Sequence, residues 1–375
     1  MTTTARPPNA IRATVDPTRN DTHADGMGFQ PAPAAASLTT VPATTVAVVQ
    51  HRYGSPDVLT VRRIPKPTLG PGEVLVTVKA ASLNARDWHV MRGEPRLARL
   101  MDLATFGLRR PRVAIRGTDL AGVVEAVGAG VTRWQPGDTV FGEGSATFAQ
   151  HAVVSADRIA AIPGGVAFED AAALPLAATT AMLCLSAGEP VAGSTVLING
   201  ASGGVGTFAL QLARTMRLRA TAVVSARNAD LATRLGAEHV IDYTAHDFTR
   251  TGQRYDLVID LVGNRTLRDL RRTVANGGTL VLSGGGVSGR GRLIGPLALL
   301  IRAQVYSRLT RLRILAPQAL PDTRSLDHLI ELTRTKQLTP VIDRTFPLGA
   351  TADAIRYMET EHTTGKVIIT VRRDR

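Results

Sequence analysis

The chain has 375 residues, more than one ordinary core accommodates, since chains beyond roughly 250–300 residues split into domains. With 44% hydrophobic and 20% charged residues, it can bury substantial cores and is not disordered through its body. A single cysteine, Cys184, excludes an intrachain disulfide and a thiolate-rich zinc cluster. The net charge of +13 would suit a nucleic acid or an anionic surface. However, only Lys66, Lys79, Lys336 and Lys366 are lysine, so 40 of the 44 basic residues are arginine. They are spread along the chain, a skew that fits codon composition better than a binding stripe, so no nucleic-acid partner is expected.

Residues 1–43 are rich in Thr, Ala, Pro and Arg and lack an apolar signal core. They read as a disordered extension, with Met27 an alternative start, and the default location is the cytoplasm. From Thr44 the texture changes to short β-branched runs such as 46–49, 58–61 and 73–79. Gly-Pro turns at 53–56 and 69–72 punctuate them, as expected of an irregular β-barrel-like domain over 44–165. Residues 94–116 carry Arg96, Arg99, Arg109, Arg110, Arg112 and Arg116. They are expected either as a solvated basic loop or, with 293–315, as the rim of a substrate mouth.

The stretch from Ala171 to Gly188 is uncharged but broken by Pro175, and 293–301 is apolar but half the ~20 residues of a span. No membrane span is expected. Beyond Pro163, strands at 195–198, 220–224, 256–260 and 278–283 alternate with helices at 206–216, 229–235 and 266–274. That alternation predicts βαβ units on a parallel sheet over 166–318. Helices at 325–335 and 350–361 and a strand at 366–371 follow in a C-terminal part, 319–375.

The strongest local signal is the strand 195–198 running into Gly200, Ala201, Ser202, Gly203, Gly204, Val205 and Gly206, then a helix. Glycines there let backbone N–H groups approach a pyrophosphate, and the helix N-terminus adds partial positive charge. The second strand closes on Ser225 and Arg227, where an NAD-selective site would place an acid. A hydroxyl and a guanidinium suit the 2′-phosphate of NADPH.

Taken in order, 72–76, 84–93, 117–128, 136–142, 171–175, 179–181, 199–206, 235–243 and 365–367 resemble the medium-chain dehydrogenase/reductase superfamily. Within it the chain resembles the zinc-independent quinone oxidoreductases and their reticulon-interacting relatives. The resemblance implies an α/β fold: a GroES-like catalytic domain built from both ends of the chain and a Rossmann domain between. It implies a nicotinamide cleft where the two meet, and it carries Thr180, Tyr243, Val262, Gly263, Ser283, Gly284 and Lys366 over as cofactor-binding positions. It also implies a homodimer, paired through a last strand near Leu312–Ala316.

Zinc members of the superfamily place a Cys where Asn84 stands and a His-Glu pair where Thr118 and Asp119 stand. Asn, Thr and Asp do not make a tetrahedral N/S site, so no metal is expected. Without a Lewis acid the simpler chemistry is reductive, with NADPH delivering hydride to a quinone or an α,β-unsaturated carbonyl. An alcohol, aldehyde or enoyl-thioester oxidoreductase and a non-catalytic NADPH-binding protein are the alternatives. Asn84 and Asp87 match a family Asn-x-x-Asp motif. Asn84 is expected to donate toward the cofactor ribose or substrate, and Asp87 either to brace the loop or to serve in catalysis. His89 either polarises the substrate carbonyl or sits on the helix surface.

Overall fold

The computed structural model describes residues 44–94, 96, 99, 106–284, 303, 307–308, 312–361 and 363–371. The expectations for 1–43 and 293–301 lie outside these residues, as does part of the basic loop.

The chain opens with a hairpin, β1 (Thr44–Val49) and β2 (Thr60–Pro65). Then come β3 (Glu73–Ser82), α1 (Ala85–Arg92), β4 (Asp119–Val127), β5 (Thr139–Glu143), β6 (His151–Ser155) and β7 (Ile159–Ala161). Two helices, α2 (Phe168–Ala173) and α3 (Pro175–Ala187), lead into β8 (Thr195–Asn199) and α4 (Gly204–Thr215). The alternation continues through β9 (Arg219–Val224), α5 (Ala229–Leu235), β10 (His239–Asp242), β11 (Tyr255–Asp260), α6 (Leu267–Thr273), β12 (Val274–Leu282) and β13 (Arg313–Leu315). The chain ends with α7 (Thr323–Arg334), β14 (Ile342–Pro347), α8 (Thr351–Thr360) and β15 (Lys366–Thr370).

Six strands pair in the order β10-β9-β8-β11-β12-β13, all parallel. Order reversal around β8 makes this a Rossmann-type sheet, whose ligands lie beyond the carboxyl ends of the strands at the switch point. The other main sheet runs β14-β15-β3-β4-β5-β7, with β6 on β3. Its closing strand β15 comes from the far end of the sequence and pairs antiparallel with β3, Ile368 opposite Ser82. That pairing brings the start of β15 beside the start of α1.

Helix α3 is apolar on every side, and Ala177, Ala178, Ala181, Cys184 and Leu185 are buried. All-round apolarity marks a helix buried in the protein rather than one lying on its surface. Burial pushes the Cys184 thiol up to about 11, so it is an inert core group. Among the described residues no helix is long and apolar enough to cross a membrane.

Candidate functional site

Asn84 caps α1 and its N–H donates to Asp87 Oδ2 at 2.9 Å, one arm of a capping box. The other oxygen of Asp87 accepts from Gly117 N–H at 3.0 Å. Asp87 is 3% exposed and is not among the residues lining the cleft. Burial raises its pKa to about 6, against the lowering effect of the Asn84 N–H. Its geometry is that of a brace tying the start of α1 to the strand entry at 117. Arg116, expected in a basic loop either solvated or rimming a substrate mouth, is buried, with its charge acting on Asp87. Basic composition hid one interior arginine among many surface ones.

Asn84 lies at the centre of a buried polar cluster. Its amide Nδ2 donates to Asp119 Oδ2 at 2.9 Å and more weakly to Thr118 Oγ1 at 3.3 Å. Ser82 Oγ donates to the same Asp119 oxygen at 3.1 Å. From β15, Lys366 Nζ donates to Asn84 Oδ1 at 2.6 Å and to Leu83 O at 2.9 Å. Its distance to Asp119 is 3.9 Å. Burial lowers the Lys366 pKa against the charges of Asp119 and Asp87. Burial likewise raises that of Asp119, opposed by Lys366. The amide orientation is therefore fixed, because a flip would set NH₂ against NH₃⁺.

Facing this cluster is the glycine loop. Gly200 has φ +86°, left-handed backbone that favours glycine. A Cβ on Gly206 would lie 2.3 Å from Gly200 O and 2.6 Å from Ala201 Cα, so helix and strand approach as only glycine allows. A Cβ on Gly203 would meet protein no nearer than 3.5 Å and would stand in the cleft that Gly203 lines. The loop and the catalytic strand are joined directly, since Gly365 N–H donates to Ser202 O at 2.9 Å. The aliphatic stem of Lys366 runs beside Gly204, where a Cβ would meet its Cδ at 3.0 Å.

The cleft has a volume of about 620 Å³ and is lined by Asn84, Trp88, His89, Gly200, Ser202–Gly206, Ser225, Tyr243, Val262, Ser283 and Lys366, among others. Tyr243 is held at the end of β9 by its N–H donating to Val224 O at 3.0 Å. Arg227 stands on the exposed turn between Ser225 and Asn228, outside the lining residues. Ala201 is buried beneath the loop. Gly263 (φ +72°) and Gly284 flank the lining, and a Cβ on Gly284 would strike Leu261 and Val262 backbone at 2.7 Å. Thr180 does not line the cleft, and its hydroxyl donates to Leu176 O at 2.6 Å. His89 lines the cleft with its ring 4.3 Å from that of Trp88, and burial lowers its pKa.

Several residues of the site went unread in the sequence. Asn199 and Asp260 end adjacent strands, and Asn199 Nδ2 donates to Asp260 Oδ1 at 2.8 Å. The same oxygen accepts from Val262 and Gly263 N–H groups at 3.1 and 3.0 Å. An aspartate closing an apolar strand just before Val-Gly is the signal that could have found it. Glu359, also lining the cleft, is held by Arg92 through two bonds of 2.7 and 2.8 Å.

The donor set fits a dinucleotide but not zinc. Gly200–Gly206 and the N-terminus of α4 offer a pyrophosphate cradle. At the position of the zinc ligands stand an amide, a hydroxyl and a carboxylate, with an ammonium hydrogen-bonded among them. An ammonium and a zinc ion exclude each other from one such pocket.

The model of the alcohol dehydrogenase GroES-like domain matches residues 70–172, and that described as zinc-binding dehydrogenase matches 235–369. The chain is 30% identical to a chloroplastic quinone-oxidoreductase homolog of Spinacia oleracea, covering 84% of this chain and 95% of the relative. It is 32% identical to the chloroplastic NADPH-dependent alkenal/one oxidoreductase of Arabidopsis thaliana, covering 91% and 84%. The quinone oxidoreductase structure from Coxiella burnetii superposes with a TM-score of 0.77 at 27% identity, covering 88% of this chain and all of that one. Parallel sheet, divided catalytic sheet, glycine cradle and relatives agree: the chain belongs to the medium-chain dehydrogenase/reductase superfamily, alongside its quinone oxidoreductase homologues, and is an oxidoreductase of that type.

Proposed function

We propose that the protein is an NADPH-dependent, zinc-independent reductase of quinones or α,β-unsaturated carbonyl compounds. The observation that carries this is the cleft itself, in which a dinucleotide cradle faces the Asn84–Lys366–Asp119 cluster and, among the described residues, no metal-ligand set. A relative named as an alkenal/one oxidoreductase supports the substrate class.

A reduced nicotinamide dinucleotide supplies the hydride when bound. Gly200, Gly203, Gly204 and Gly206 shape the backbone around its pyrophosphate, with Ala201, Ser202 and Val205 between them. Ser225 and Tyr243 line the cleft, and Arg227 on the adjoining turn would hold a 2′-phosphate from the solvent side. Val262, Gly263, Ser283 and Gly284 follow the carboxyl ends of β11 and β12, where a Rossmann sheet holds its ligand. Thr180, one helical turn beyond Leu176, keeps its hydroxyl on Leu176 O and lies outside the lining. Asn84, Trp88 and His89 line the same cleft, so a flat conjugated substrate would meet an aromatic ring and polar groups there. His89, with its lowered pKa, serves as a neutral hydrogen-bond partner at pH 7 rather than as an imidazolium acid.

We further propose a homodimer acting in the cytoplasm. Strand β13 forms one edge of the six-stranded sheet, and an unpaired edge invites an isologous partner. The cofactor assignment is tested by Arg227→Ala. One charge-assisted contact is worth roughly 1.5–3 kcal/mol, so NADPH binding should weaken about ten- to hundred-fold with NADH binding nearly unchanged. Equal weakening of both dinucleotides would contradict it.

A further inference from the structure

The cluster at Asn84 holds a cation of the protein's own. Lys366 is 3% exposed, yet it is among the residues lining the cleft. Among the described residues two acceptors are hydrogen-bonded to it, Leu83 O and Asn84 Oδ1, and the nearest carboxylate oxygen is 3.9 Å away. An ammonium has three N–H groups, so one is uncommitted. The two bonds and the stem packed beside Gly204 fix where that third N–H can go. Asn84 cannot take the same task, because its Nδ2 hydrogens are already directed at Asp119 and Thr118.

We propose that Lys366 is the electrophilic group of this enzyme, donating its third N–H to the substrate oxygen on which negative charge develops, in the place where zinc members of the superfamily hold their metal. Asn84 and Asp119 are positioning residues: the amide holds the ammonium by its oxygen, and the carboxylate holds the amide by its nitrogen. In the reduction one hydride from the reduced dinucleotide adds to the conjugated carbon, and the π electrons move to oxygen. One proton, supplied by water, completes the product while Lys366 stays protonated throughout. Its role is electrostatic, and preorganised donors of this kind change turnover by about 10²–10³-fold. The inference rests on the reductase reading for its substrate but not for its chemistry, since any oxyanion in the cleft would meet the same N–H.

The test uses the full-length protein saturated with NADP⁺ and 4-nitrophenol, a redox-inert phenol whose visible band reports ionisation. At a pH below the phenol's own pKa, wild type should bind it as the phenolate. Lys366→Met alone would strand the Asp119 charge, so the comparison is Lys366→Met with Asp119→Asn, which keeps the stem beside Gly204 and leaves no unpaired charge. This double variant should bind the phenolate at least about ten-fold more weakly, with both proteins held saturated with NADP⁺. Asp119→Asn alone removes the charge that favours the ammonium and the carboxylate that holds the amide, so phenolate binding should weaken as well, by no more than in the double variant. Uptake of the neutral phenol by wild type, equal phenolate binding by wild type and the double variant, or a larger loss in Asp119→Asn than in the double variant would each overturn the proposal. If wild type binds the phenolate through Lys366 yet reduces no quinone or enone, the reductase reading falls while the oxyanion assignment stands.

Discussion

Asp87 offers the sharpest test of how the cleft is held. Its two oxygens accept the N–H groups of Asn84 and Gly117 at 2.9 and 3.0 Å, both in the interior. Asp87→Ala orphans both donors, at about 1–3 kcal/mol each. Removing the carboxylate also removes the cost of burying it ionised, which raises its pKa from 3.8 to about 6. Because the folded pKa lies above the unfolded one, the folded chain binds more protons than the unfolded chain between these values, and stability falls as pH rises. At pH 4.5 wild type carries about 1 kcal/mol of this cost and at pH 7.5 about 3 kcal/mol, at ~1.4 kcal/mol per unit. Asp87→Ala should therefore be more destabilising at pH 4.5 than at pH 7.5, by about 2 kcal/mol. Urea titrations of wild type and variant at the two pH values read this directly. A destabilisation equal at both, or larger at pH 7.5, would refute the placement of a costly buried carboxylate there.

Gly206→Ala should lower dinucleotide affinity by at least about ten-fold, because the new methyl overlaps backbone at 2.3 Å that cannot shift without moving the cradle; unchanged affinity by isothermal titration would contradict the close approach. His89→Phe should reduce turnover by roughly ten-fold with NADPH binding little changed. Unchanged turnover of this variant across pH 6–8 would remove His89 from the substrate wall. Light scattering at micromolar concentration should report a dimer, and a charge placed at Ile314 on the edge strand should dissociate it; a monomeric wild type would refute edge pairing.

The Rossmann half was legible because its strands are buried apolar runs and its helices switch the period, so boundaries fell within a few residues of those found. Helix α3 was not, since a helix apolar on all sides shows no period and the stretch registered only as an uncharged one. The glycine cradle was read from its glycines together with the strand before them and the helix after them, whereas Asn84 and Asp87 were reached through family resemblance. The Lys366–Asn84 bond joins residues 282 positions apart. It exists because β15 pairs with β3, and no local pattern announces such a pairing. Neither reading of the basic loop placed Arg116 in the interior, because forty arginines make any one look like surface.

Metal-free reduction is tested most directly by following NADPH oxidation at 340 nm with an ortho-quinone and an α,β-unsaturated ketone, on protein dialysed against chelator and checked for zinc by elemental analysis. Turnover should persist at full rate with zinc far below one per chain, and should be faster with NADPH than with NADH at limiting cofactor. About one tightly held zinc per chain, with activity lost on its removal and restored on its return, would contradict it.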